Sequence, residues 1–93
     1  MKRMAVTIEL HNTGQAATRS EITASLEHAF DGESGEWHVS ILGSHENDDW
    51  ELKIKSPEGF ERSYMLAGSA GEHEPDVIRS VATKLLSGIR RAS

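Results

Sequence analysis

From Pro75 to about Arg91 the chain carries Val77, Ile78, Val81, Ala82, Leu85, Leu86 and Ile89, recurring at i, i+1, i+4 and i+5. On an α-helix that spacing paints one apolar stripe along one side. A stripe of that length needs an apolar surface to lie on, so the rest of the chain must supply one. Glu72, His73, Glu74 and Asp76 stand just before and at the start of this helix, and Arg90 and Arg91 at its end. The three acids at the start and the two arginines at the end complement the helix dipole.

The surface is written in four runs of period two. Met4, Val6, Ile8 and Leu10 alternate with Ala5, Thr7, Glu9 and His11, and Asn12-Thr13-Gly14 ends that strand. Trp37, Val39 and Ile41 alternate with His38, Ser40 and Leu42. After a polar loop from Gly43 to Asp49, Trp50, Leu52 and Ile54 alternate with Glu51, Lys53 and Lys55. Ser56-Pro57-Glu58-Gly59 then reads as a tight turn, with Pro57 presetting the first turn residue and Gly59 taking positive φ. That turn sets a register: Ser56 opposite Phe60, Ile54 opposite Arg62, Leu52 opposite Tyr64 and Trp50 opposite Leu66. On the other face Lys55 meets Glu61, an opposite-charge pair. The fourth strand runs from about Phe60 to Ala67. Arg62 falls on the apolar face, where it is expected at the sheet margin with its stem laid along apolar surface.

A second helix is read between the first two strands. Thr18-Arg19-Ser20-Glu21 matches a capping box, Ile22, Leu26, Ala29 and Phe30 form one face, and Asp31-Gly32 ends it. The predicted helix covers about Arg19 to Phe30.

The order is therefore β-α-β-β-β-α, and it predicts an α+β two-layer sandwich. A four-stranded sheet, with strands two to four in an antiparallel meander, carries both helices on one face. Residues 1–93 are read as a single domain. The pattern leaves the place of the first strand open, with a right-handed crossover expected if it lies parallel to a neighbour.

Composition narrows the chemistry. The chain has no cysteine, which removes disulfides, zinc thiolate sites and thiol catalysis. Fifteen acids against ten bases give a net charge of −5, a surface that repels phosphate backbones and anionic lipid. Met1-Lys2-Arg3-Met4 is basic, but Glu9, His11 and Asn12 interrupt any apolar run behind it, so no signal peptide is read. Cytoplasmic residence is the expectation.

Ala67-Gly68-Ser69-Ala70-Gly71 precedes a helix, as phosphate-binding loops do, but Glu72, Glu74 and Asp76 occupy that end and no Gly-Lys-Ser/Thr follows. The meander and final helix resemble double-stranded RNA-binding domains in element order only. That resemblance implies lysines at the start of the final helix, where this chain has acids, so no nucleic acid is expected as a partner. Among His11, His28, His38, His45 and His73, none has recognised metal-ligand spacing. His45-Glu46-Asn47-Asp48-Asp49 lacks EF-hand spacing. Glu9, His11 and His38 share the polar sheet face and could cluster if their strands are neighbours, though without a pocket to tune them. There is no nucleophile elbow. No catalytic, cofactor or metal residue is assigned.

Leu42 and Met65 fall by parity on the polar face of the sheet, where adjacent strands would bring them into one small apolar patch. The chain is therefore expected to be a small acidic, non-enzymatic protein-interaction domain. Its expected contacts are Leu42, Met65, Glu9 and Glu51, and self-association through that face or through an edge strand is one form of such binding. The competing reading is a small-molecule or metal-binding protein, or a minor enzyme, using a helix–sheet crevice or the histidine-bearing sheet face.

Overall fold

The structure, a computed structural model, describes residues 4–33, 35–44 and 46–92. The elements follow the expected order: β1 (Met4–His11), α1 (Ala16–Ala29), β2 (Gly35–Gly43), β3 (Asp49–Lys55), β4 (Glu61–Ala67) and α2 (Pro75–Ala92), with a short 3₁₀ turn at Gly68–Ala70. The sheet order is β1-β2-β3-β4, so β1 lies at one edge, parallel to β2, and β4 at the other. The parallel pair is joined by α1, as a parallel crossover requires. His45 and Met1 to Arg3 lie outside the described residues.

The β3–β4 register is the one the turn dictates. Ile54 faces Arg62, Leu52 faces Tyr64, Trp50 faces Leu66 and Lys55 faces Glu61. At the turn, the Ser56 N–H donates to the Phe60 carbonyl at 2.7 Å and the Gly59 N–H to the Ser56 carbonyl at 3.0 Å. The buried Ser56 hydroxyl accepts from the Phe60 N–H at 3.0 Å, and Gly59 sits at φ 96°.

Both helices cover one face. Ile22, Leu26 and Phe30 of the α1 segment and Ile78, Ala82, Leu86 and Ile89 of α2 close over Trp37, Val39, Ile41, Leu52, Ile54 and Leu66 in one core. Phe30 and Trp37 meet with ring centroids 5.3 Å apart at 54°, a tilted aromatic contact. The Arg90 guanidinium reaches the Glu33 carboxylate at 2.7 Å, tying the end of α2 to the segment leaving α1.

Two expectations are corrected. α1 begins at Ala16 and its N-cap is Gln15, which makes no side-chain cap bond. Gly14 at φ 90° turns the chain sharply after β1, and the Arg19 N–H then bonds the Gln15 carbonyl at 3.0 Å. The first turn is thus closed upstream of Thr18, which sits inside it. The apolar face also stops short at β4. Leu66 is fully buried, but Tyr64 is 41% exposed and Phe60 40%, because α2 crosses the sheet at the Leu66 end and leaves the turn end of β4 bare. Arg62, on that bare stretch, is exposed on an edge strand.

Candidate functional site

The sheet face opposite the helices is covered by no other described element, and its side chains stand in cross-strand rows. The registers align His11, Leu42, Glu51 and Met65 across all four strands. The next row is Glu9, Ser40, Lys53 and Ser63, and the one after it Thr7, His38, Lys55 and Glu61. Leu42 and Met65 are each 53% exposed, the most exposed large apolar side chains of the described chain. They flank Glu51. The fold thus brings together three of the four residues read as contacts, Leu42, Glu51 and Met65, and sets Glu9 one row away on β1.

A shallow depression of about 310 Å³ opens here, lined by Leu42, Met65, Glu51, Asp49, Asn47 and Ser44 along with Gly43. Two carboxylates and two apolar side chains line it, and no lysine or arginine does. Its rim is held by the loop between β2 and β3. The Ser44 hydroxyl accepts from the Glu46 and Asn47 N–H groups at 3.0 and 3.3 Å, and the Asn47 side-chain oxygen accepts from the Asp49 N–H at 2.9 Å. These are Asx- and ST-type bonds that stiffen a loop locally. The Asn12 side-chain amide donates to the Gly43 and Ser44 carbonyls, both at 3.4 Å, and pins the end of β1 beneath the same loop. Gly43 must lack a side chain, because a Cβ there would run into the Asn12 carbonyl.

A second arrangement lies on the helix side, where the chain leaves β4. The Glu72 carboxylate accepts from the Tyr64 hydroxyl at 2.8 Å and from the Ala67 N–H at 2.8 Å. The Glu72 N–H donates to the Ala67 carbonyl at 3.1 Å. His73 stacks on Trp50 with centroids 3.5 Å apart at 9°, and its Nε2 bonds the Leu66 carbonyl at 3.1 Å. The Ala67 N–H foremost, and then the Tyr64 hydroxyl, hold the Glu72 carboxyl below its ordinary value. The same hydrogen bond, with the negative charge behind it, raises the Tyr64 phenol. Glu72 therefore does more than complement the helix dipole; its side chain turns back to the sheet. Trp50, which alternates with the buried Leu52 and Ile54 of β3, is itself only half-buried, beneath His73.

The Glu9, His11 and His38 combination is spread by the register: Glu9 opposes Ser40, His11 opposes Leu42, and His38 lies between Thr7 and Lys55. Among the described residues no three His, Asp or Glu side chains converge to hold a metal ion. A wider furrow of about 500 Å³ runs between α1 and β1, along Ile8, Leu10, Arg19 and Glu27. It is larger but open along its length, and its charged groups are exposed helix side chains. No described helix is long and apolar enough to cross a membrane. No protein-family model matches the chain, and no curated protein sequence does either.

Proposed function

We propose that this is a non-enzymatic protein-interaction domain that takes up a basic, partly apolar segment of a partner protein on its open sheet face. The observation that carries the reading is the exposed Leu42 and Met65 pair set on either side of Glu51, over a depression whose only charged groups are carboxylates. Apolar side chains beside the carboxylates of Glu51 and Asp49 fit a lysine or arginine, whose methylene stem lies on the apolar pair while its head meets Glu51 or Asp49. Glu9 adds a carboxylate one row away, and the net charge of −5 attracts a basic partner at longer range. The same charge disfavours nucleic acid. The lack of cysteine suits a reducing cytoplasm.

The test is fluorescence anisotropy with a labelled peptide of alternating arginine and leucine, set against one with glutamate in place of arginine. The basic peptide is expected to bind and to weaken as salt rises. Leu42→Lys, which leaves the core untouched, removes the apolar contact and repels the arginines, and should weaken it by about tenfold, or about 1.4 kcal/mol. Equal binding of both peptides, or full binding by Leu42→Lys, sinks the reading.

A further inference from the structure

The Ser56–Phe60 bond fixes the phase of the β3–β4 ladder. Antiparallel pairs alternate between bonded and non-bonded, so Arg62, Tyr64 and Leu66 spend their backbone groups on β3. Glu61, Ser63, Met65 and Ala67 turn theirs outward. At Ala67 both outward groups are already taken by Glu72, its carboxylate on the N–H and its own N–H on the carbonyl. Glu72 thus plugs the edge at one end, and the Pro57–Gly59 turn ends it at the other. Between them an open edge remains with outward backbone groups at Glu61, Ser63 and Met65.

We infer that β4 pairs with β4 of a second copy of this chain, antiparallel and centred on Ser63. This goes beyond the partner binding proposed above and does not depend on it. A two-fold centre at Ser63 bonds Ser63 to its own copy and Glu61 to the partner copy's Met65 on both sides, so all three open residues are used. Two-fold centres at Tyr64 or Met65 run into the plug at Ala67. Centres at Arg62 or Glu61 set like charges face to face.

The Ser63 register also answers the oddity of Arg62. It stands on the helix side of the sheet, exposed, with no ion pair among the described residues. In this register it lies opposite Tyr64 of the second copy, at a non-bonded position where side chains come closest. That tyrosine hydroxyl is bonded to Glu72, so the guanidinium stacks on the ring and meets a carboxylate behind it. Phe60, equally bare, comes opposite the second copy's Leu66. An inward-facing charge on an edge strand normally guards against indiscriminate pairing; here it selects one register. The contact is isologous and closes at two copies.

Hydrogen exchange read by NMR at increasing protein concentration tests this directly. The amides of Glu61, Ser63 and Met65 should slow as concentration rises, while those of Arg62 and Tyr64, already bonded to β3, stay unchanged. Sedimentation equilibrium should show the monomer mass doubling. Ser63→Pro removes an outward N–H without touching the β3 ladder, and it should remain folded, by its thermal melt, and monomeric. Arg62→Glu should also lose the dimer. A wild-type chain that stays monomeric at NMR concentrations overturns the proposal, as does a folded Ser63→Pro that still dimerises. Protection appearing at β1 instead would place the contact at the opposite edge and overturn it equally.

Discussion

Glu72 pairs with Ala67 as a neighbouring strand residue would, its N–H bonded to the Ala67 carbonyl at 3.1 Å and its carboxylate to the Ala67 N–H at 2.8 Å. One side chain in the connection to α2 thereby closes part of an exposed sheet edge. It also receives the Tyr64 hydroxyl, and so holds the only end of β4 that α2 does not leave bare.

This pairing makes stability depend on pH in a definite direction. The Glu72 carboxyl lies below its ordinary 4.5 in the fold. Its contribution is present above that value and is lost as the pH falls through the lower folded one. Wild type should therefore lose melting temperature on acidification below pH 4.5 more steeply than Glu72→Gln. The Tyr64 phenol is raised above 10.0, so its share is complete below that pH and disappears as the pH climbs through the raised value. Tyr64→Phe should flatten the alkaline limb, measured by circular dichroism melts. Tyr64 is exposed and Glu72 half-exposed, and added salt should shrink both effects.

Two glycines predict opposite signs. Gly43 lies against the Asn12 backbone, which cannot move aside as a flexible side chain can. Gly43→Ala should cost about 1–3 kcal/mol, the usual range for overpacking. Gly88, inside α2, has open space around its missing Cβ. Gly88→Ala should stabilise by about 0.5–1 kcal/mol, the helix preference of alanine over glycine. Urea unfolding of both variants checks the pair.

The Trp50–His73 stack ties β3 to the segment before α2. His73→Ala removes the stack and the bond to the Leu66 carbonyl, and should cost about 1–2 kcal/mol. Trp50 emission should change while the core Trp37 stays in place, read by fluorescence against Trp50→Phe. An unchanged spectrum and unchanged stability would count against the stack.

Arg90 and Glu33 form an ion pair at 2.7 Å, but the arginine is 53% exposed. Exposed pairs are worth little. Glu33→Gln should lower stability by less than about 1 kcal/mol, by urea titration, with most of the effect gone at high salt.

Much of this fold was legible because the strands alternate cleanly and one turn fixes a register. Pro57 and Gly59 set Ser56 against Phe60, and every later pair on β3 and β4 follows by counting. The same parity puts Leu42 and Met65 on the open face, and their exposure agrees. Three things were not legible. The place of β1 depends on how α1 crosses the sheet, which no local pattern encodes. Tyr64 has core parity, yet it is exposed because the path of α2 over β4 is a tertiary matter. Trp50 and His73 are far apart in the chain, and no spacing announces their stacking. Glu72 carries one weak signal, an acid just past an edge strand, and the helix dipole accounts for that signal equally well.

The proposed binding face is tested most directly by mapping backbone amide shifts as the arginine–leucine peptide is titrated into the labelled protein. The largest changes are expected at Leu42, Gly43, Asp49, Glu51 and Met65, with smaller ones at Glu9, and the helices undisturbed. Changes concentrated instead along the α1–β1 furrow at Ile8, Leu10 and Arg19, or no change at any peptide concentration, would contradict the account.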